Sequence, residues 1–231
     1  MDIGIIGAGN IGGTLTRRLT QLGHQVTVAN SRGPETLQDL ASETGATAGT
    51  PYDAARGKDL VVVTIPQVKV PDLPKDLFDG VPAEVVVVDT GNYYPQQRDG
   101  RIDGIEDGTP ESRWVEQHLG RPVVKAFNNI YSVDLMEKGV AAGTAGRIAL
   151  PVSGDDAEAK RTVLALIDEL GFDGVDNGGL DDSWRHQPGT PVYTANSDLE
   201  QLRTRLAEAT PERKPEWKAT PNSPGDFTNP Q

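Results

Sequence analysis

The sequence predicts a doubly wound, mostly parallel α/β sheet with a small C-terminal α/β portion and an extended C-terminal tail. Three observations carry this expectation. Short apolar runs alternate with segments of helical period along most of the chain. Two of those runs, Val61-Val62-Val63 and Val85-Val86-Val87-Val88, have no polar alternation, as a strand covered on both faces requires. The first run leads straight into a glycine-rich turn that opens a helix.

In chain order, strands are expected at residues 3–6, 26–29, 60–65, 85–88, 123–127 and 148–152. Between the first two, Leu15, Leu19 and Leu22 share a helical face, and Gly23 stands where a left-handed residue closes a helix. Thr50-Pro51 and Thr109-Pro110 each read as a cap followed by proline in the first helical position. Asp155 or Asp156 caps a helix that carries Val163, Leu164, Ile167 and Leu170 and stops at Gly171, and a last helix covers 198–208. Residues 91–110, rich in Gly, Asp, Arg and Gln, read as a long surface loop. Residues 210–231, proline-rich and poor in apolar residues, read as a tail that is disordered or laid over a neighbour. The expected division is therefore 1–145, 146–209 and 210–231.

Composition narrows the function classes. The 231 residues carry 34 acidic and 22 basic side chains, a net charge of −12, which disfavours nucleic acid and anionic lipid as partners. There is no cysteine, and His24, His118 and His186 are far apart, so no metal site is expected. No apolar run approaches the ~20 residues of a membrane helix, and the first residues lack a basic, apolar leader. A soluble, cytoplasmic protein is expected.

The turn after the first strand is Gly7-Ala8-Gly9-Asn10-Ile11-Gly12, a G-x-G-x-x-G in the strand–turn–helix setting of a dinucleotide-binding Rossmann domain, here residues 1–145. Gly7 permits the tight turn, Gly9 lets backbone approach a pyrophosphate, and Gly12 lets helix and strand pack closely. The second strand ends in Asn30-Ser31-Arg32, with no acid before Glu35. An NAD-preferring site places a carboxylate there for the ribose hydroxyls; its absence, with Asn30 and Ser31 as donors and Arg32 as charge, favours NADP(H). Arg32 also reads as an ordinary solvated loop arginine. Because ligands of such sheets lie beyond the C-terminal strand ends, Thr64-Ile65-Pro66, Asn92 and Ala126 with Asn128 are further cofactor candidates, although Pro, Gly and Asn are turn residues in any case.

The fingerprint, the Asn30-Ser31-Arg32 turn, Val63-Thr64-Ile65-Pro66, and Val124-Lys125-Ala126-Phe127-Asn128 followed by Gly154-Asp155-Asp156 together resemble the F420-dependent NADP reductase family over roughly residues 1–185. The cytoplasmic reductase domain of the STEAP metalloreductases is similar, and the Gly-Ala-Gly-Asn-Ile-Gly loop and Asn128-Asn129 are closer to it. The resemblance implies NADP(H) binding and hydride exchange with a second redox cofactor, F420 or a flavin. It assigns Gly7, Gly9 and Gly12 to the pyrophosphate, Ser31 and Arg32 to the 2′-phosphate, and the Thr64–Pro66 turn with Asn128 to the nicotinamide end.

The segment from Asp181 to Tyr193 concentrates an indole, a guanidinium, an imidazole and a phenol within ten residues. Trp184 or Tyr193 could stack on a flat ring, or simply pack at an interface. His186, Tyr93, Tyr94 and Tyr131 are candidate proton donors by residue type. Three functions remain open: hydride exchange between NADPH and a small redox acceptor, NADPH-dependent reduction of a carbonyl or imine, and a non-catalytic NADP(H)-sensing module. A homodimer is the expected assembly.

Overall fold

A computed structural model describes residues 1–231. In chain order the first part comprises β1 (Asp2–Ile6), α1 (Asn10–Gln21), β2 (Gln25–Ala29), α2 (Gln38–Thr44), β3 (Thr47–Gly49), α3 (Pro51–Ala55), β4 (Leu60–Val63), β5 (Val86–Asp89), α4 (Asp103–Glu106), α5 (Glu111–Leu119) and β6 (Val124–Lys125). The second part comprises α6 (Ser132–Glu137), β7 (Ala149–Val152), α7 (Ala157–Glu169), β8 (Asp173–Asp176) and α8 (Leu199–Glu208).

Six strands form one sheet in the order β3-β2-β1-β4-β5-β6, every pair parallel. This is the doubly wound order, in which the chain reverses direction across the sheet between β1 and β4. Ile5 lies opposite Val28 on one side and Val62 on the other, and Val62 lies opposite Val88. All four are fully buried, which is why the valine runs carry no polar alternation.

β7 and β8 form a separate parallel pair joined through α7. β7 meets the edge of the main sheet through one antiparallel bridge, in which Lys125 and Ser153 exchange backbone hydrogen bonds of 2.8 and 3.1 Å. The largest core cluster runs through both parts. It joins Ile3, Ile5, Leu15 and Leu19 to Leu150, Val152, Val163, Ile167 and Phe172. Each such fully buried side chain contributes about 1.5–3 kcal/mol of burial free energy.

Several expectations need correction. Leu22 is not on the buried face of α1; it caps the C-terminus and is exposed, while Gly23 takes φ +87° as a closing glycine should. Thr50 caps α3 through Asp53 in a reciprocal box, but after Thr109 the helix begins one residue late, with Pro110 just outside α5. Asp156 is the cap of α7, accepting from the N–H groups of Glu158 and Ala159, whereas Asp155 accepts from Leu180 N–H and pairs with Arg113.

The sixth strand is only two residues long, because Phe127 turns into the left-handed region at φ +60°. Two strands escape the apolar pattern. β3 is a three-residue edge strand, Thr-Ala-Gly, and β8 reads Asp-Gly-Val-Asp with only Val175 buried. Residues 91–110 are no plain surface loop. Tyr93, Asp99 and Ile105 are buried within them, around the turn at Pro95–Asp99 and α4. The tail lies over this same segment of its own chain: Gln96 donates its side-chain amide to the carbonyls of Pro215 and Lys218 and accepts from Gly225 N–H.

Candidate functional site

The parallel strands deliver the fingerprint, the β2 turn, and the residues after β4, β5 and β6 to one edge of the sheet. The three fingerprint glycines have different physical reasons. A Cβ on Gly12 would stand 1.8 Å from the Gly7 carbonyl oxygen, and one on Gly7 would stand 2.2 Å from that of Thr64. Gly7 also holds φ +114°. Those two positions therefore serve the packing of α1 and the β4 turn against β1. At Gly9 a Cβ would meet nothing within 4 Å. No packing demand of the chain requires glycine there, so it fits close approach by a ligand.

The N-terminus of α1 supports the same conclusion. It has no side-chain cap and no acid in its first turn, which leaves N–H groups and the positive end of the helix dipole for an anion. Asn10 is exposed and Ala8 and Ile11 are half-buried beside this turn. The residues present thus fit the pyrophosphate of a dinucleotide.

At the end of β2, Asn30 builds the turn rather than facing outward with both polar atoms. Its Oδ1 accepts from Arg32 N–H at 2.9 Å, and its Nδ2 donates to Thr36 at 2.9 Å. Ser31 and Arg32 follow it, exposed. After β4, Thr64 and Ile65 wrap Gly7, and Gln67 is buried, donating to the Glu111 carbonyl at 3.0 Å.

The turns after β5 and β6 are held by charge. Lys125 and Asp89 form a fully buried pair at 3.2 Å. Asp89 also accepts from Ser112 Oγ at 2.6 Å and from Gly91 N–H at 2.8 Å. Breaking such a pair from one side costs about 3–5 kcal/mol. A lysine inside the apolar run 123–127 was the visible sign of this pair, although its partner could not be read from spacing.

Asn92 and Asn128 interlock. Asn92 Nδ2 donates to the Asn128 carbonyl at 2.8 Å, and Asn128 Nδ2 donates to Asn92 Oδ1 at 3.0 Å and to the His186 carbonyl at 2.7 Å. The His186 ring then joins Asn128 Oδ1 at 2.8 Å to Ser153 Oγ at 3.0 Å, and Ser153 accepts from Asn177 at 2.9 Å. In this network the imidazole donates from Nδ1 to Asn128 and accepts at Nε2 from the Ser153 hydroxyl. Asn128 is 3% exposed with its amide committed to protein, so it positions the turn rather than contacting cofactor through its side chain.

The proton-donor candidates separate. His186 is completely buried, and burial pushes it down to about 3, with Lys125 adding to the effect. It is neutral and enclosed, which corrects its reading as a general acid. Tyr93 is also completely buried, with the Gly100 carbonyl and the Glu106 carboxylate both within reach of its one hydroxyl proton, while the oxygen accepts from Ile102 N–H. It is a scaffold residue. Tyr131 is 57% exposed at the start of α6. Tyr94 and Tyr193, half-buried, join hydroxyl to hydroxyl, and burial raises both phenols above their ordinary range. The segment 181–193 therefore reaches the turn after β6 through His186 and the residues after β5 through Tyr193. Trp184, under the Arg185 guanidinium, borders a cavity of about 450 Å³ with Gln187, Pro110 and Arg213.

The fold and its first strand–turn–helix unit recur in known proteins. A family model described as NADP oxidoreductase, coenzyme F420-dependent, matches residues 2–93. A solved structure of a hypothetical protein from Sinorhizobium meliloti is 31% identical, with TM-score 0.73, covering 85% of this chain and 95% of that one. The chain belongs to the F420-dependent NADP oxidoreductase family. A second solved structure, provisionally named an F420-dependent NADP reductase of an Arthrobacter species, is 25% identical with TM-score 0.63, covering 78% of this chain and 86% of that one. Among curated proteins, YjhV of Escherichia coli is 43% identical over 51 residues, 22% of this chain; that match spans 37% of the length of YjhV. The matched family and the Arthrobacter structure support an NADP(H)-binding fold of the kind found in NAD(P)-dependent oxidoreductases. No helix is long and apolar enough to cross a membrane.

Proposed function

We propose that the protein passes a hydride between NADPH and a second, flat redox carrier such as F420 or a flavin. The observation that carries this reading is the closed network at the ends of β5 and β6. Asn92, Asn128, His186, Ser153 and Asn177 satisfy one another, and the histidine is held neutral. Carrier-to-carrier hydride transfer requires little beyond a fixed, water-poor geometry with reacting atoms at about 3–3.5 Å. Reduction of a carbonyl would need a proton donor near neutrality, and burial shifts the Tyr94 and Tyr193 phenols away from it.

When bound, NADPH supplies the hydride. The chain's own part is to hold and orient it. The Gly9 backbone and the α1 N-terminus take the pyrophosphate. Ser31 and Arg32 take the 2′-phosphate, and the Asn92–Asn128 interlock keeps the β5 and β6 turns rigid at the far end. Reduction of a small carbonyl or imine is the second reading, favoured only by the Tyr94–Tyr193 hydroxyl pair as a relay for a proton.

The test is to mix purified protein with NADPH and oxidised F420, or oxidised FMN, and follow the acceptor's absorbance, with NADH as the control reductant. Bleaching that depends on NADPH is the expected result. Tight NADPH binding with no bleaching of either acceptor would overturn carrier-to-carrier transfer, and faster bleaching with NADH would overturn the role of Ser31 and Arg32.

A further inference from the structure

The cavity beside Trp184 is built by three stretches of chain that are remote in sequence: 105–110 at α4, 184–191, and 208–218 at the start of the tail. Its volume of about 450 Å³ is that of a small-molecule site. None of the residues assigned to the dinucleotide borders it. The fingerprint, the β2 turn, Thr64–Pro66, Asn92, Ala126 and Asn128 all lie elsewhere.

Two polar groups that border this cavity have donors the chain does not use. Gln187 is 6% exposed; its Oε1 accepts from Arg213 Nη2 at 3.3 Å, while its buried Nε2 donates to no protein atom. Arg213 Nη2 also pairs with the buried Glu111 at 2.9 Å, and Nη1 is a second buried donor without an acceptor. Buried donors are paired almost throughout native proteins, and two on adjoining groups suit an acceptor with two oxygens, as a carboxylate is. The surrounding charge decides what else such a molecule carries. Arg213, Lys214 and Lys218 share the lining with four carboxylates, those of Glu106, Asp107, Glu208 and Glu212. A simple anion gains nothing net from that balance, whereas a molecule with both an ammonium and a carboxylate gains from each sign. Trp184, Pro110, Pro188 and Pro191 supply apolar surface for its body.

We propose that this cavity binds a free amino acid, a small carboxylate that also bears an amine. The carboxylate takes Arg213 Nη1 and Gln187 Nε2, and the ammonium turns to the acidic side chains of the lining. Because tail and body build the walls together, the bound molecule ties 208–218 to 105–110 and 184–191 and stabilises the folded chain by mass action. No covalent step is involved, and the inference stands whatever the hydride acceptor is.

The experiment is thermal unfolding of the full chain with each of the standard protein amino acids at millimolar concentration, followed by calorimetry to obtain the Kd of the best. At least one should raise the melting temperature, and its analogues lacking the amine or the carboxylate should each bind at least about tenfold more weakly. Gln187→Glu keeps an oxygen for Arg213 and replaces the free donor with a repelling carboxylate. It should melt no lower than the wild type, bind NADPH with the same Kd and lose at least about tenfold in amino-acid affinity. If that variant does not fold, Glu208→Gln combined with Glu212→Gln, both exposed, decides: the amino acid should bind more weakly and its des-amino analogue should not. No shift with any amino acid would overturn the inference. An equal shift with inorganic phosphate would overturn it too, by marking an adventitious ion only. Unchanged affinity in Gln187→Glu, or in the double variant where that is the one read, would place the amino acid elsewhere and sink it as well. Each of these failures leaves the hydride-transfer reading untouched.

Discussion

Arg32 and His186 are the residues whose roles are decided by exposure. Arg32 stands free on the β2 turn, and a charge-assisted contact to a 2′-phosphate is worth about 1.5–3 kcal/mol. Arg32→Ala should therefore raise the KM for NADPH by about tenfold or more and leave that for NADH nearly unchanged, as steady-state kinetics with both reductants would register. His186 acts on stability instead. Its folded state refuses a proton down to about pH 3, whereas the unfolded residue titrates near 6.5. Between those values the unfolded chain binds more protons, so the contribution is whole above pH 6.5 and is lost progressively as pH falls toward 3. Denaturant unfolding at a series of pH values should show this slope in the wild type and a shallower one in His186→Gln, while the pH profile of NADPH oxidation shows no step owed to the histidine.

The turn between β1 and α1 is where one element serves both packing and ligand. Gly9→Ala should fold with an unchanged melting temperature but bind NADPH at least about tenfold more weakly, because the new methyl enters only the space a pyrophosphate needs. Gly12→Ala should instead lose several degrees of melting temperature, since its methyl would fall on the Gly7 carbonyl. Equal behaviour of the two variants would contradict this division of labour. The β6 turn is a comparable element. Its left-handed Phe127 is kept by the Lys125–Asp89 pair before it and the Asn128 network after it.

For the whole molecule, the tail is part of the fold. Arg213 reaches from residues 210–231 into the body to pair with Glu111, which also accepts from Tyr93 N–H and lends its carbonyl to Gln67. Arg213→Ala leaves a buried carboxylate unpaired, and the expected loss is about 3 kcal/mol, read by chemical unfolding. A chain shortened after residue 209 should lose a similar amount and retain NADPH binding, because the tail bonds to Gln96, Glu106, Glu111 and Gln187 rather than to the fingerprint or the β2 turn.

Much of this was legible in the sequence for a local reason. Strand runs such as Val85-Val86-Val87-Val88, the glycine spacing of the fingerprint, the missing carboxylate at Asn30-Ser31-Arg32 and the caps Thr50 and Asp156 all depend on neighbours a few residues away, and chain order exposes them. The partners of His186, Lys125, Glu111 and Tyr94 lie 58, 36, 102 and 99 residues distant. Sequence position carries no sign of such pairings, so residue type alone makes His186 and Tyr93 look like proton donors. Only the packed structure decided that both are enclosed, that the tail lies on its own chain, and that Tyr94, Tyr193 and Trp217 meet one another. Burial sets the charge state of each side chain, and burial is a property of the assembled fold.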